Sequence, residues 1–481
     1  MLDSLKGFSP RNLPALQYFN TPAGTRLARQ ALVVLGTLVL AYFLGRTPSL
    51  IYLYVPVVLV AVWAVYTHPE LGVIGLVVAA LVIPFEIGTN TNSPLNAAFV
   101  AVPTLGFFWL LEMARNRSIQ FAPSSTTLPL IGLVLTISLS FLVGYLPWNV
   151  FATLAPLRAQ MGAWAIFTFS ALAFFLGANR LRSVIWLKRL VWVFLALGGI
   201  YILGRLAGSL GYPILNLYTF ASTGSLFWIW LVVLAAGQAI FNHDLAPRWR
   251  FVLGLLVVLT MTVALTGTSR NWASGWVPPL IGLGVLAAFR WPRLVLVAGF
   301  LAAVVVLLDA PLIQKIIIDY KAYDLLTRGA ALNIILQIVQ ANPLLGVGPA
   351  NYYYYTPLYP ILGYYVRFNS HNNYIDILAQ AGLLGLFFFA WWALATARVG
   401  WRLRNAFDDG FRRAYVLGCL AGLAACLVTA ALGDWFLPFV YNIGINGFRA
   451  SVIGWLFLGG LVALEQMARP AAGSAEVAAN S

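Results

Sequence analysis

Three histidines occur in the sequence, and only one has company that suggests chemistry. His68 and His243 sit in short polar connections between apolar runs. His371 lies within Asn369-Ser370-His371-Asn372-Asn373, a polar cluster at the mouth of an apolar segment. An imidazole with an unperturbed pKa of about 6.5 can be neutral near physiological pH and take a proton from a hydroxyl, which is general-base chemistry. Arginines form a second constellation: Arg270 after Thr266-Gly267-Thr268-Ser269, Arg158 at the start of an apolar run, and Arg328 opening an amphipathic stretch. Each fits an ordinary helix-end arginine reaching to headgroups; together they also fit a fork-shaped grip on diphosphate oxygens without a metal ion. Asp434, in Gly433-Asp434-Trp435, fits two roles, an orienting partner for the imidazole with Asn372 beside it, or a helix-end carboxylate facing water. No metal centre is expected. Cys419 and Cys426 are too far apart along one helix for a disulfide, no zinc-ligand spacing is present, and no Asp-x-Asp pair occurs to hold a metal diphosphate.

The elements that must position these groups are apolar. Of 481 residues, 61% are hydrophobic and 9% charged, against about 25% charged in a soluble domain. Runs of near twenty apolar residues recur from Leu27 to Met467. The expected fold is an all-α polytopic membrane protein with about fourteen spans (twelve to fourteen). Residues 1–26 form a cytoplasmic N-terminus without a cleavable signal, 27–308 carry the first eleven helices, 373–467 the last three, and 468–481 a cytoplasmic tail. The net charge of +15 is read as topology rather than as a nucleic-acid footprint. With both termini inside, 20 of the 29 basic residues fall on the cytoplasmic side.

One connection stands apart. Residues 309–372 form an external loop too apolar and tyrosine-rich for disorder, and are expected to fold as a cap. Within it, 328–341 reads as a helix with apolar positions at Leu332, Ile335, Leu336 and Val339, closed by Asn342-Pro343. Tyr352, Tyr353, Tyr354, Tyr355, Tyr359, Tyr364 and Tyr365 follow, which fits an interfacial aromatic belt or a platform for sugar rings.

Taken in order, these residues resemble a known family. Arg328, Pro343-Leu344-Leu345-Gly346-Val347-Gly348, Ser370-His371-Asn372-Asn373-Tyr374-Ile375 and Ala381-Gly382-Leu383-Leu384-Gly385-Leu386, preceded by Thr268-Ser269-Arg270, are similar to the signatures of the O-antigen ligase and polymerase superfamily. The resemblance covers Thr268 to Leu386. It implies a metal-independent, inverting glycosyltransferase of the bacterial inner membrane, needing no cofactor, whose active site faces the periplasm. Its donor would be a glycan on polyprenyl diphosphate and its acceptor a lipid or glycan, lipid A core if it is a ligase. His371 would activate the acceptor hydroxyl, Arg270 and Arg158 would hold the departing diphosphate, and Arg328 would support the site or the cap. Family members are usually read with about twelve spans.

Ligase, polymerase and protein-glycosylating enzymes share these signatures; the ligase is favoured over the polymerase, and protein glycosylation comes third because no external domain is appended. A transporter or flippase of lipid-linked glycan is the competing class, and would need a polar path that the predicted mid-helix positions lack. A third reading places an external carboxylate such as Glu86 as base.

Overall fold

A computed structural model describes residues 63–88, 94–266, 272–308, 326–408 and 410–469, with scattered positions between 30 and 60. The expected spans at 27–45 and 50–66 lie mostly outside the described residues. So do Arg270, residues 309–325 of the cap, and the tail beyond Arg469. The chain divides into two compact units, Met1–Pro69 and Glu70–Ser481. In the first, residues 63–67 are helical, with the Thr67 hydroxyl turned back onto the carbonyls of Trp63 and Ala64.

The described residues are almost wholly helical. In chain order the main helices are α1 (Pro69–Val82), α2 (Ala97–Asn116), α3 (Thr127–Val143), α4 (Leu157–Arg180), α5 (Val184–Leu206), α6 (Ser225–Phe241) and α7 (Pro247–Leu265). They continue with α8 (Ala273–Arg290), α9 (Pro292–Leu308), α10 (Leu326–Val339), α11 (Asn373–Leu403), α12 (Phe411–Leu432) and α13 (Gly444–Ala468). Among the described residues, strand is confined to a two-residue antiparallel ladder, Glu86–Ile87 against Leu95–Asn96. Asn96 then caps α2 by accepting the Phe99 N–H at 3.0 Å.

Among the described residues eight helices, α2, α4, α5, α7, α8, α11, α12 and α13, are long and apolar enough to cross a membrane. The protein is an all-α polytopic membrane protein. From residue 70 onward the expected membrane segments, up to 308 and over 373–467, are built of helices, but α1, α3, α6 and α9 are shorter apolar helices, so helix length does not establish fourteen crossings. The expected cap helix at 328–341 is α10, two residues earlier at each end.

α13 is buried throughout its most apolar stretch of 18 residues, as a helix must be when it forms the centre of a bundle. Glycines let α4 close on it. A Cβ at Gly177 would stand 2.6 Å from the Leu456 carbonyl oxygen, and one at Gly459 would run into that of Phe174. On another face Trp455 stacks on Trp392 of α11, with ring centroids 4.4 Å apart, and on Phe436, at 4.7 Å. The Ser451 hydroxyl and Trp455 Nε1 both donate to the Phe436 carbonyl (2.6 and 3.1 Å). The α12–α13 connection, residues 433–443, is thereby pinned to the core.

α11 is broken. At Gly382 the backbone takes φ 67° and ψ −167°, outside helical space and in the region that favours glycine. A break in a spanning helix releases amides and carbonyls that hydrocarbon cannot satisfy. The loop after α10 satisfies them: Leu383 N donates to Pro343 O at 2.8 Å, Leu384 N to Leu344 O at 3.1 Å, and Val347 N to Ala379 O at 2.9 Å. From α3, the Ser140 hydroxyl donates to Gln380 O at 2.5 Å, while Ala350 N donates to Gln380 Oε1 at 3.1 Å. Gly346, at φ 71°, lies where a Cβ would stand 2.6 Å from Ala379 O. The runs 343–348 and 381–386 are thus two halves of one interlocked structure.

Gly382→Ala should destabilise the fold. A methyl there meets the Leu344 carbonyl and must hold a positive φ, a strain of about 1–3 kcal/mol before any lost hydrogen bond. Gly284→Ala, in α8 with open space around its Cβ position, is the control. Thermal unfolding in detergent should show a lower midpoint for the first and little change for the second; equal midpoints would remove the interlock from the stability of the fold.

Candidate functional site

The polar cluster at 369–373 sits where the cap returns to α11, and Ser370, Asn372 and Asn373 each have separate work. Asn372 is the N-cap of α11, its carboxamide oxygen accepting from Tyr374 N and Ile375 N (3.0 and 3.4 Å). Its Nδ2 donates to Ala431 O at 3.3 Å. Asn373 is wholly buried and clamps the 433–443 loop: Nδ2 donates to Leu437 O at 2.6 Å, and Oδ1 accepts Phe436 N and Leu437 N at 3.0 and 3.1 Å. The Ser370 hydroxyl donates to Asp376 Oδ1 at 2.7 Å, and the Tyr352 hydroxyl donates to the same oxygen at 2.5 Å. Burial, with Asp376 beside it, pushes the Tyr352 phenol well above its ordinary range, so it remains a donor. Asp376 Oδ2 is buried without a hydrogen-bond partner.

His371 stands in the middle of these anchors, exposed, with φ 50°. A non-glycine residue in the left-handed region persists only where its surroundings hold it there, and such residues cluster at functional sites. Its neighbours on both sides do the holding. Across from it, Asn442 Nδ2 lies 3.3 Å from His371 Nδ1 and donates to Asp434 Oδ1 at 2.5 Å. The other carboxyl oxygen of Asp434 accepts Phe439 N at 2.9 Å. Asp434 is 1% exposed, which rules out the water-facing reading of that residue, and Asn442 links it to His371. Burial pushes its carboxyl above the usual range, against the pull of the Phe439 N–H, the Asn442 amide and the charge of His371.

The arginines divide. Arg328, in the first turn of α10, donates from Nη1 to Leu432 O at 3.2 Å, so the cap helix and Asn372 grip adjacent carbonyls at the end of α12. Arg158 is the second residue of α4, between Ala155 and Ala159, which pack with Ala350, Val440, Tyr354 and Tyr441. That packing brings the start of α4 against the loop that carries Asn442. Glu86 faces Arg449, whose guanidinium also takes the carbonyls of Ala79, Ile83 and Phe85; this pair ties the end of α1 to α13. Among the described residues no group of three or more His, Cys, Asp or Glu is placed to share a metal ion. Both cysteines are buried in α12.

The tyrosine run is neither a plain belt nor a plain platform. Tyr352 and Tyr355 are buried, and Tyr352 stacks on Phe439 at 4.9 Å. Tyr353 stacks on Tyr441 at 4.5 Å, Tyr354 tilts against the same ring, and Arg367 lies 4.1 Å over Tyr354. Only Tyr364 and Tyr365, beyond the hairpin turn at Leu362-Gly363, project outward, at 71% and 68% exposure.

These features fall largely within one recognisable segment. Residues 254–390 match the family model for O-antigen ligase. The match bears out the resemblance to the O-antigen ligase superfamily over a little more than a quarter of the chain, and it supports glycosyl transfer of that general kind. No curated protein matches the chain. The O-antigen ligase segment runs from α7 into the second half of α11, so it contains Arg270, Arg328, the cap and His371. Asp434 and Asn442 lie outside it and meet His371 through the fold; Arg158 also lies outside it. Sequence reasoning missed Asn442, Asp376 and the clamp by Asn373; the only local signal was Asn372-Asn373 itself, two amides in succession at a helix start.

Asn373→Ala leaves two amides and a carbonyl of the 436–437 segment buried and unpaired, at about 1–3 kcal/mol each before relaxation. Hydrogen–deuterium exchange over residues 434–443 should speed up markedly in this variant. Unchanged exchange would show that Asn373 does not hold the loop.

Proposed function

We propose that the protein is a membrane glycosyltransferase acting as an O-antigen ligase, moving a glycan from polyprenyl diphosphate to an acceptor hydroxyl on the periplasmic side of a bacterial inner membrane. The observation that carries this reading is His371, held at positive φ within the matched segment, between the cap and a carboxyl-backed amide. The reaction is inverting and metal-independent. His371 takes the acceptor proton as the acceptor oxygen attacks the anomeric carbon, and the bond to the diphosphate oxygen breaks on the opposite face. Arg270 and Arg158 stabilise the charge that develops on the leaving diphosphate, and Arg328 adds to that field while fastening α10 to α12. The domain plan stays as read from the sequence: residues 309–372 as the external cap over the site, 27–308 and 373–467 as fourteen spans, and both ends in the cytoplasm. Lipid A core is the acceptor class, and membrane lipids surround the apolar helices.

The test is transfer by purified protein, given a polyprenyl-diphosphate glycan and, in parallel, lipid A core or a second copy of the donor. Wild-type protein should release polyprenyl diphosphate and extend lipid A core, unaffected by chelators. His371→Ala should lower the rate by about 10²–10⁴-fold with the protein still folded. Arg270→Lys, which keeps charge but loses the planar fork, should cost tenfold or more, since a charge-assisted hydrogen bond is worth roughly 1.5–3 kcal/mol. Extension of the donor copy alone would make the enzyme a polymerase, and donor movement across the membrane without a new bond would make it a transporter.

A further inference from the structure

Arg367 is held by one face. Its guanidinium lies 4.1 Å over the Tyr354 ring, and among the described residues no carboxylate, carbonyl or hydroxyl takes its N–H groups. Other arginines use their edges within the protein: Arg328 on the Leu432 carbonyl, Arg449 on the carbonyls of Ala79, Ile83 and Phe85, and Arg180 and Arg182 on Glu112. The N–H groups of a guanidinium lie in its plane, so an arginine stacked by its face keeps its whole fork open to a ligand. Arg367 carries that fork at the surface. The ring beneath it belongs to the candidate site. Tyr354 tilts against Tyr441, with centroids 5.7 Å apart, and Tyr353 stacks on the same ring at 4.5 Å. Next in the chain is Asn442, whose amide lies 3.3 Å from His371 Nδ1. Arg367 and His371 thus meet neighbouring residues of one loop, and with four residues between their positions their Cα atoms are within about 14 Å. The start of α4, which carries Arg158, packs into the same cluster through Ala155 and Ala159.

We propose that Arg367 is a further phosphate-binding residue of the site, its fork closing on diphosphate oxygens of the donor while Tyr354 holds its face. The inference rests on the reading of the donor as a polyprenyl diphosphate, and adds to the arginines assigned to that group one that the sequence did not single out. Arg328 already gives Nη1 to Leu432 O, so part of its fork is occupied. Arg367 has no carboxylate partner among the described residues that an arriving anion must displace. The ring also limits the freedom of a long side chain before the ligand arrives, which lowers the entropy lost on binding. Its positive charge reaches the Tyr441 phenol, on the loop that meets His371, so an anion drawn to it is drawn towards the imidazole. A planar fork matches two phosphate oxygens at once, and such charge-assisted pairs are the strong ones.

The probe is farnesyl diphosphate, a diphosphate on a short isoprenoid, titrated against full-length protein in nanodiscs of zwitterionic lipid. Arg367→Ala should weaken its binding by about tenfold or more. Arg367→Lys should restore only part of that loss, since an ammonium neither forks nor lies flat on a ring. Tyr354→Leu, which leaves the arginine and removes the ring beneath it, should weaken binding as well, while Tyr354→Phe, which keeps the ring face, should not. Unchanged affinity in Arg367→Ala, as an arginine resting among lipid headgroups would give, overturns the proposal. So does a raised KM for phosphorylated lipid A core with the diphosphate affinity unchanged, which would place the residue at the acceptor. Binding is read without turnover. His371→Ala should bind farnesyl diphosphate as the wild type does, and full transfer by that variant would end the base assignment while leaving Arg367 in place. Weakened binding by Arg367→Ala in a protein whose wild type forms no glycosidic bond would keep the phosphate site and end the transferase reading.

Discussion

A membrane offers no water to a broken helix, so the peptide groups released at Gly382 have to be met from within the protein. Backbone from the loop after α10 meets them, through Pro343, Leu344 and Val347. Much of the arrangement around His371 follows from that exchange. The segment after α10 is not laid over the bundle as a separate layer; it is hydrogen-bonded to α11 on both sides of the break. With 343–350 fixed, the tyrosine helix at Tyr352–Tyr355 is fixed, and Tyr352 can reach Asp376. The turn at 369–372 then has a rigid partner on each side.

The second constraint is the shortage of charge. Among so few carboxylates, burying Asp434 and Asp376 within one small region is costly, and each is surrounded by donors that reduce the cost. The carbonyls at the end of α12 are treated with the same economy. Arg328 and Asn372 take Leu432 and Ala431, so the helix end is capped by two elements, α10 and the turn that carries His371.

The parts of this arrangement that sequence could show were those with local signatures. Apolar runs placed the helices, and the short amphipathic pattern ended by Asn342-Pro343 placed α10 within two residues. His371 stood out because its neighbours were polar at the start of an apolar run. The break in α11 was hidden, since Ala381 to Leu386 stays apolar through it and only the paired glycines hint at a turn. Asn442 carried no signal at all. It comes 71 positions after His371, in a loop of aromatic and aliphatic residues, and its meaning appears only once Asn373 and Trp455 have pinned that loop beside the turn. The tyrosines misled in the other direction, because composition could not distinguish rings that pack inward, such as Tyr352 and Tyr355, from those that project, such as Tyr364 and Tyr365.

The account stands or falls on His371 as the group that takes the acceptor proton. The most direct measurement is the pH dependence of kcat/KM for transfer, in wild type and in the residual activity of a His371→Gln variant. The account predicts a rate in the wild type that rises through one ionisation in the imidazole range, and a residual rate in the variant without that limb. The same limb in both proteins, or no limb in the wild type, would contradict it.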